Sequence, residues 1–159
     1  MNKSIAQLTQ ERINGLHMMR DGALERLEDA DLAFSPGGDN LTLGQLLKEF
    51  GDIEYSYSQS LKTLQHDWNY KNDTEGLHTD LIQMQHWFKQ LDQQMVQQLE
   101  QITEADLQKQ VDRTNGLMRT IEQQLEIYIQ AGLIFLGKLV IYFRAMQKPL
   151  PPSISHYIG

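Results

Sequence analysis

The sequence predicts an all-α fold, an antiparallel four-helix bundle, and three observations support this prediction. Apolar residues recur at intervals of three and four along four long segments, which is the periodicity of amphipathic helices. Turn-forming stretches rich in glycine, proline and asparagine separate these segments. No apolar–polar alternation is long enough for a strand, so no β-sheet is expected in the core. The 159 residues suit a single domain spanning 1–159.

The first helix is predicted over residues 4–29. Ser4 can accept a hydrogen bond from the first turn, and Gln7 can complete a capping box three residues later. The proline and glycines of the following segment, DADLAFSPGGDN, predict a loop. The apolar stripe of this helix consists of Ile5, Leu8, Leu16, Met19, Ala23 and Leu27.

The second helix is predicted over residues 42–66 and has the clearest start signal in the chain. Thr42 is the expected N-cap and Gln45 closes its capping box. The apolar residues that follow fall on one face of a helix. They are Leu43, Leu46, Leu47, Phe50, Ile53, Tyr57, Leu61 and Leu64.

The third helix is predicted over residues 77–102, with a glutamine-rich opposite face that we interpret as solvated. Its apolar stripe consists of Leu77, Leu81, Met84, Phe88, Leu91, Met95, Leu99 and Ile102. A loop through Asn115 and Gly116 is expected next. The fourth helix is predicted over residues 117–147, and the prolines at 149, 151 and 152 must end it.

Composition excludes several classes of function. The net charge of -7 and the scattered lysines and arginines argue against a nucleic-acid partner. Without cysteine, the chain has no disulfide, thiolate metal site or cysteine nucleophile. The polar first residues do not resemble a secretory signal, and the apolar stretch 127–143 is too short and too polar for a membrane span. We therefore expect a soluble, cytoplasmic protein with no membrane partner.

Two segments resemble the DinB/YfiT-like superfamily. The stretch DADLAFSPGGDNLTLGQLLKEFGDIE is similar to the second-helix region of that family, in which a T-L-G-E-L-L pattern is followed by a histidine. In the fourth helix, Gly137, Tyr142 and Arg144 match the family run H-x-x-x-H-R-G-Q-I-x-x-Y-L-R. The proline-rich exit also matches. The resemblance extends by helix order over essentially the whole chain and implies a four-helix bundle.

The resemblance also implies one metal site built from three histidines, one on the second helix and two on the fourth. Those positions are Glu49, Ala131 and Phe135 here. Alanine and phenylalanine have no metal-binding atom, and one carboxylate does not make a site. We therefore expect no metal at these positions and no cofactor.

Glu54 is the most unusual residue of the second helix because it falls within the apolar arc, where a carboxylate must be paired, hydrogen-bonded or protonated. Arg12 similarly falls within the stripe of the first helix. Structural pairing is the simpler interpretation of both residues. In the functional alternative, Glu54 lines an interior ligand pocket with Glu49 and Glu126 as neighbours.

None of the five histidines forms an H-x-x-x-H or H-x-x-E-H pair. His17 and His86 fall off the apolar stripes, so we expect both to be solvent-exposed. His66 and His78 flank one loop and could approach each other. The spacing of these residues does not indicate a catalytic arrangement.

Two classes of function remain open. In the first, the chain is a non-catalytic DinB-like bundle for binding or assembly, with an unknown small-molecule ligand. In the second, it is an enzyme of the thiol S-transferase or hydrolase type that the resemblance implies, with an atypical site around Glu49, Glu54 and Glu126. The missing histidine triad favours the first.

The fourth helix carries more apolar surface than a bundle core requires. One face is already complete with Leu125, Tyr128, Gly132, Phe135, Leu136, Leu139, Phe143 and Met146. Ile127, Ile134 and Ile141 recur at heptad spacing on another side of the helix. An apolar strip of this kind is typical of an interface, so the sequence predicts a two-fold homodimer. Burial of this strip by loops or by the proline-rich tail is the alternative.

Overall fold

The computed structural model describes residues 4–114 and 116–158, and its main feature is a bundle of four long helices. These helices are α1 (Ile5–Leu24), α3 (Leu43–Thr63), α4 (Leu81–Gln101) and α5 (Ile121–Ala145). The smaller elements are α2 (Asp29–Leu32), a 3₁₀ turn (Asp106–Gln108), β1 (Gln110–Asp112), β2 (Met118–Thr120) and α6 (Pro152–Ile158). The predicted all-α four-helix bundle is confirmed.

The core is built from the predicted apolar stripes of α3, α4 and α5. Phe50 on α3 packs on Phe88 of α4 and stacks against Phe135 of α5, so one aromatic group joins three helices. The stripe predicted for α1 was partly wrong, because Ile5 and Leu8 are half exposed near its beginning. Leu16 and Ala23 of the predicted stripe are buried, and the other core positions of α1 are Ile13, His17, Arg20 and Leu24.

Helix directions differ in part from the fully antiparallel arrangement that the sequence suggested. Helices α3 and α5 are antiparallel, since Phe50 meets Phe135 and Tyr57, further along α3, meets the earlier Tyr128. Helices α1 and α4 are also antiparallel, since Arg20 meets Asp92 and Leu24, further along α1, meets the earlier Gln85. Helices α3 and α4 run in the same direction, as do α1 and α5, where Arg12 meets Glu126 and Leu16 lies against Gly132.

The parallel pair α3 and α4 requires a connection that returns along the bundle, and residues 64–80 provide it. Tyr70 stacks on Tyr55 at a ring-centre distance of 3.8 Å, and the backbone N–H of Asn72 donates to Asp52 Oδ1. His78 then reaches the start of α3, where its carbonyl lies against Gly44. The segment thus runs antiparallel to α3 from one end of the bundle to the other.

Two helices, α1 and α3, end earlier than predicted. Helix α1 stops at Leu24 and the chain restarts as α2, a single turn whose Leu32 is buried. Helix α3 stops at Thr63 because Leu64 adopts a left-handed conformation with φ 58°. Backbone hydrogen bonds then join residues 64–66 to Asp112 of β1.

A short antiparallel hairpin precedes α5, so the expectation that the chain contains no strand was wrong here. Strands β1 and β2 pair Val111 with Arg119, and Val111 is buried in the core. Helix α5 therefore begins at Ile121 rather than near 117, with Thr120 as its N-cap. In the loop predicted through Asn115 and Gly116, Asn115 lies outside the described residues. Three-residue strands are too short to show periodicity in the sequence.

The prolines after α5 end that helix as predicted, but the tail forms a further helix, α6. Proline at the first position of α6 is favourable because its missing N–H would have no partner within the helix. Helix α6 packs against α1, where Ser153 lies close to Gly22. The tail therefore covers part of α1 rather than the outer face of α5.

Candidate functional site

The three positions at which the resemblance implies metal ligands do not form a polar site. Phe135 is buried and stacks on Phe50, with ring centres 4.8 Å apart. Ala131 is half buried and has no donor atom. Glu49 is half buried, and its charge acts on the hydroxyl of Tyr142, raising the pKa of that tyrosine after the larger effect of burial.

A buried polar cluster lies elsewhere in the core, at the meeting point of all four long helices. It contains His17 and Arg20 from α1, Glu54 from α3, Asp92 from α4 and Tyr128 from α5. Arg20, Glu54 and Tyr128 are fully buried. We call these five residues the interior cluster. Burying so many ionisable groups is costly unless their charges and hydrogen bonds are satisfied by one another.

Arg20 organises the carboxylates of this cluster. Its NH1 donates to Glu54 Oε2 at 2.9 Å, and its NH2 donates to Asp92 Oδ2 at 2.7 Å. The Nε and NH2 groups also donate to Asp21 Oδ1 at 2.9 and 2.7 Å. The face of the guanidinium lies 4.2 Å from the ring centre of Phe88. One arginine thus ties α1 to both α3 and α4.

His17 and Arg20 contact different oxygens of the Glu54 and Asp92 carboxylates. Its Nδ1 is 2.8 Å from Asp92 Oδ1, and its Nε2 is 2.7 Å from the hydroxyl of Tyr128 and 3.4 Å from Glu54 Oε1. When the proton is on Nδ1, this N–H donates a hydrogen bond to Asp92 Oδ1, and Nε2 accepts one from the Tyr128 hydroxyl. In that neutral tautomer, Nε2 and Glu54 Oε1 present lone pairs to each other.

The environment separates the acidities of the two carboxyl groups. Burial is the largest effect on Glu54 and raises its pKa to about 7, although the charges of His17 and Arg20 oppose this rise. Burial also acts to raise the pKa of Asp92, but the hydrogen bond from His17 and the charge of Arg20 outweigh it and hold that pKa well below its ordinary value. Burial raises the pKa of Tyr128 well above its ordinary value, so its hydroxyl keeps its proton and can donate a hydrogen bond.

A surface groove gives access to this cluster. The groove has a volume of about 580 Å³ and lies between α1, α4 and the tail that leads into α6. His17 and Asp92 form part of its lining, together with Asp21, Glu25 and Ser153. Glu54 and Tyr128 lie behind these two residues. Solvent and small solutes can therefore reach the edge of the cluster, but not its floor, without a side-chain movement.

The structure does not bring together the three carboxylates that the sequence suggested as a pocket. Glu54 lies in the interior cluster, whereas Glu126 forms a surface ion pair in which Arg12 donates at 2.7 and 3.1 Å. Glu49 lies five residues before Glu54 on α3, which places it about 140° away around the helix. Glu54 and Arg12 were each predicted to form a structural pair, and each does so with a different partner. Glu54 pairs with Arg20 in the core. Arg12 is exposed and pairs with Glu126 on α5.

Sequence reasoning did not identify Arg20 and Asp92, and it wrongly expected His17 to be exposed. It placed Tyr128 on the core face of its helix correctly, but without its polar neighbours. His17 and Arg20 follow Ile13 and Leu16 at intervals of four, and Leu24 continues the same row, so their burial follows from helical spacing. Choosing Met19 instead of Arg20 as the core position hid this row. Asp92 similarly follows Phe88 by four residues on α4.

The remaining histidines are placed apart. His66 is buried near the end of α3, where Gln124 contacts its ring. His78 lies at the other end of α3, about 24 Å away for the 16 residues between Gly44 and Ser60, so the two do not approach each other. His86 is exposed on α4, as expected, and contacts Gln90.

The isoleucines predicted to form an interface on the fourth helix differ in exposure. Ile134 and Ile141 are 62% and 60% exposed, and Leu133 beside them is 51% exposed. Ile127 is half buried against the core. Helix α5 is long and apolar enough to cross a membrane by length and composition, so the expectation that its apolar stretch is too short for a span was wrong for the whole helix. Half of the apolar segment is buried within the bundle.

Comparison with solved structures defines the class of fold. The chain is similar to the crystal structure of a DinB-like protein, YjoA, from Bacillus subtilis, with a TM-score of 0.74 and 17% identity. The match covers 91% of this chain and 95% of that one. The sequence matches no family model and no curated protein. The chain therefore has a DinB-like fold, as its sequence resemblance implied.

Proposed function

We propose that this protein is a non-catalytic, cytoplasmic DinB-like bundle that assembles as a homodimer through the outer face of α5. The observation that carries the proposal is the exposed apolar strip of that helix, which we define as Leu133, Ile134, Gly137 and Ile141. The described part of the tail leaves Ile134 and Ile141 more than half exposed. Burying each isoleucine fully is worth roughly 1.5–3 kcal/mol before association costs.

The spacing of the strip suits a two-fold pairing of α5 with a second copy of itself. An axis between Gly137 and Lys138 would place Ile134 of one copy opposite Ile141 of the other in an antiparallel helix pair. It would also place the lysine stem over the partner's glycine. Gly137 has open space around its Cα, so two backbones can approach closely there. A self-complementary patch of this kind is what two-fold symmetry requires.

The apolar surface continues from the strip onto α6. A second groove, of about 450 Å³, is lined by Leu133 and Gly137 together with Val140, Tyr157 and Ile158. Tyr157 is mostly exposed, which is unusual for so large an aromatic residue. Aromatic and aliphatic side chains at the margin of the strip enlarge the area that a second copy can bury.

The interpretation as a non-catalytic protein is supported by the aromatic packing at the implied metal positions. Phe135, one of the three implied ligand positions, is buried and stacks on Phe50, so an apolar ring stands where a ligand would be needed. The enzyme alternative depended on a carboxylate site around Glu49, Glu54 and Glu126, and these three residues have different surroundings. We therefore retain binding and assembly as the function, with the identity of any small-molecule ligand unknown.

Light scattering coupled to size exclusion tests the proposal at micromolar concentration. The expected mass is about 37 kDa, twice the 18.4 kDa of one chain. Ile134→Asp should reduce it to that of one chain, because a charge would be buried against the partner's apolar surface. Ile82→Asp is the matched control, since Ile82 is 79% exposed on α4, and this variant should remain dimeric. A wild-type mass of one chain would exclude the dimer.

A further inference from the structure

The interior cluster brings metal-binding atoms from three helices into one place. One donor atom each from His17, Glu54 and Asp92 lie within 4.8 Å of one another, and the Tyr128 hydroxyl lies beside them. These residues are separate from the positions at which the family resemblance implies ligands. One imidazole nitrogen and two carboxylates form a donor set that suits zinc and similar divalent transition metals.

The charges of the cluster do not cancel. Arg20 contributes one positive charge, and Glu54 and Asp92 contribute two negative charges when both are ionised, so the sum is minus one when His17 is neutral. Asp21, which also accepts from Arg20, lies outside the cluster. Asp21 is half exposed, but Glu54 is completely buried and Asp92 largely so. An excess of buried negative charge is unstable unless protons or a cation compensate it. A bound cation would compensate this charge.

Glu54 provides the second, independent observation. Its Oε1 is fully buried and has no hydrogen-bond partner among the described residues, although its Oε2 accepts from Arg20. This free oxygen is directed toward His17 Nε2, 3.4 Å away. Ligands 2.0–2.1 Å from a tetrahedral ion lie roughly 3.3 Å from each other. The separation of these two atoms is therefore already that of neighbouring metal ligands.

Arg20 has the role that hydrogen-bond donors commonly have around ligating carboxylates. It binds the outer oxygen of Glu54 and the outer oxygen of Asp92, and it leaves Glu54 Oε1 and Asp92 Oδ1 on the side of His17. Such outer partners fix the orientation of ligands and tune their affinity. The groove lined by His17 and Asp92 supplies a route of entry.

We propose that the interior cluster binds one divalent transition-metal ion through His17, Glu54 and Asp92, with the Tyr128 hydroxyl as a neighbouring oxygen. The donor atoms lie within 4.8 Å of one another, but Asp92 Oδ1 contacts His17 Nδ1 whereas Glu54 Oε1 faces Nε2. The side chains must therefore rearrange to close on the ion. Binding should therefore tie α1, α3 and α4 together more firmly. This site is independent of the proposed dimer, since all of its residues lie inside one bundle.

The test is a zinc titration of the full chain, produced without a histidine tag and stripped with a chelator. Isothermal calorimetry should show one equivalent of Zn²⁺ per chain, and thermal melting should shift upward on addition of the metal. Cobalt(II) in place of zinc should give visible absorption bands typical of a low-symmetry site. These experiments measure zinc binding rather than the mass of the particle. A negative result for the metal site is therefore distinguishable from a negative result for the dimer.

Two nearly isosteric variants locate the site, namely Glu54→Gln and Asp92→Asn. Each should weaken zinc binding at least tenfold, because a neutral amide replaces an ionised ligand. His86→Asn is the matched control, since His86 is exposed on α4 outside the cluster, and it should bind as the wild type does. Far-UV circular dichroism confirms that the variants are folded. Failure of the folded wild type to take up zinc would overturn the proposal, as would full binding by both cluster variants.

Discussion

At the scale of single residues, the most consequential feature is an arginine in the core. Arg20 is as buried as the surrounding aliphatic residues, yet it carries a charge and donates hydrogen bonds to three carboxylates. Its burial acts to lower its pKa, but the attraction of Glu54 and Asp92 outweighs that effect and keeps it protonated. The interior cluster is therefore held together by this one cation.

We predict that Arg20→Met lowers the free energy of unfolding by about 3–5 kcal/mol, because it leaves buried carboxylates without their cation. Urea denaturation at neutral pH measures the change. Arg12→Met is the control, since Arg12 pairs with Glu126 at a solvent-exposed position. Its loss should cost about 1 kcal/mol or less. Equal losses for the two variants would contradict this account of the core.

His66 is a second buried residue whose protonation matters. The amide of Gln124 donates to its Nδ1 at 2.9 Å, which requires that nitrogen to be unprotonated. Burial is the main cause that lowers the pKa of His66 to about 4, and the charge of Arg113 lowers it further, against a small opposing effect of Asp67. The folded protein therefore favours the neutral form of this histidine.

This shift predicts a loss of stability in mild acid. In the unfolded chain His66 takes up a proton near pH 6.5, whereas in the folded protein it resists protonation until about pH 4. The contribution of His66 to the free energy of unfolding is therefore complete above pH 6.5 and is lost as the pH falls from 6.5 to about 4. The contribution of His66 is at most about 3 kcal/mol. Unfolding in urea at several pH values should show a smaller decline for His66→Gln than for the wild type. His86→Gln, at an exposed position, should decline as the wild type does.

At the scale of the elements, capping signals proved more reliable than apolar periodicity at the helix ends. Ser4 and Thr42 cap their helices with the predicted boxes. The same signal at Thr120 and Gln123 marks the true start of α5, but it was passed over in favour of the apolar run from Leu117. Capping hydrogen bonds span three residues, so they can be inferred without knowledge of the fold.

The contact between α1 and α5 depends on a glycine. Gly132 lies directly against the side chain of Leu16, and a Cβ at that position would overlap it. We predict that Gly132→Ala lowers the free energy of unfolding by about 1–3 kcal/mol, because the buried leucine has little room to move. Gly15→Ala is the control, since no atom lies within 4 Å of the added carbon. Chemical denaturation should show this control stabilised by up to about 1 kcal/mol.

At the scale of the whole molecule, the proposed dimer has a thermodynamic consequence. Association stabilises the folded state by mass action, so the melting temperature of the wild type should rise with protein concentration. Calorimetric scans at several concentrations measure this rise. Ile134→Asp should abolish it, whereas Ile82→Asp should preserve it. A wild-type melting temperature that does not change with concentration would argue against the interface.

The relative directions of the helices were not predictable from apolar periodicity. Periodicity along α3 and α4 showed which faces are apolar, but it could not show that these helices run in parallel. That arrangement depends on residues 64–80, which return along α3 through the stack of Tyr70 on Tyr55 and the contact of Asn72 with Asp52. Nothing in their local pattern distinguishes this crossover from an ordinary loop.

The sequence by itself determined four helices, most of their inward faces and their main caps, because each of these depends on residues within about four positions of one another. It also predicted the DinB-like fold. Only the tertiary structure decided that His17, Arg20, Glu54, Asp92 and Tyr128 form one cluster. Hydrogen bonds within the cluster join residues 34, 72 and 111 positions apart. The burial of a polar residue depends on which distant partners can compensate its charge, and that information is not contained in the spacing of any one helix.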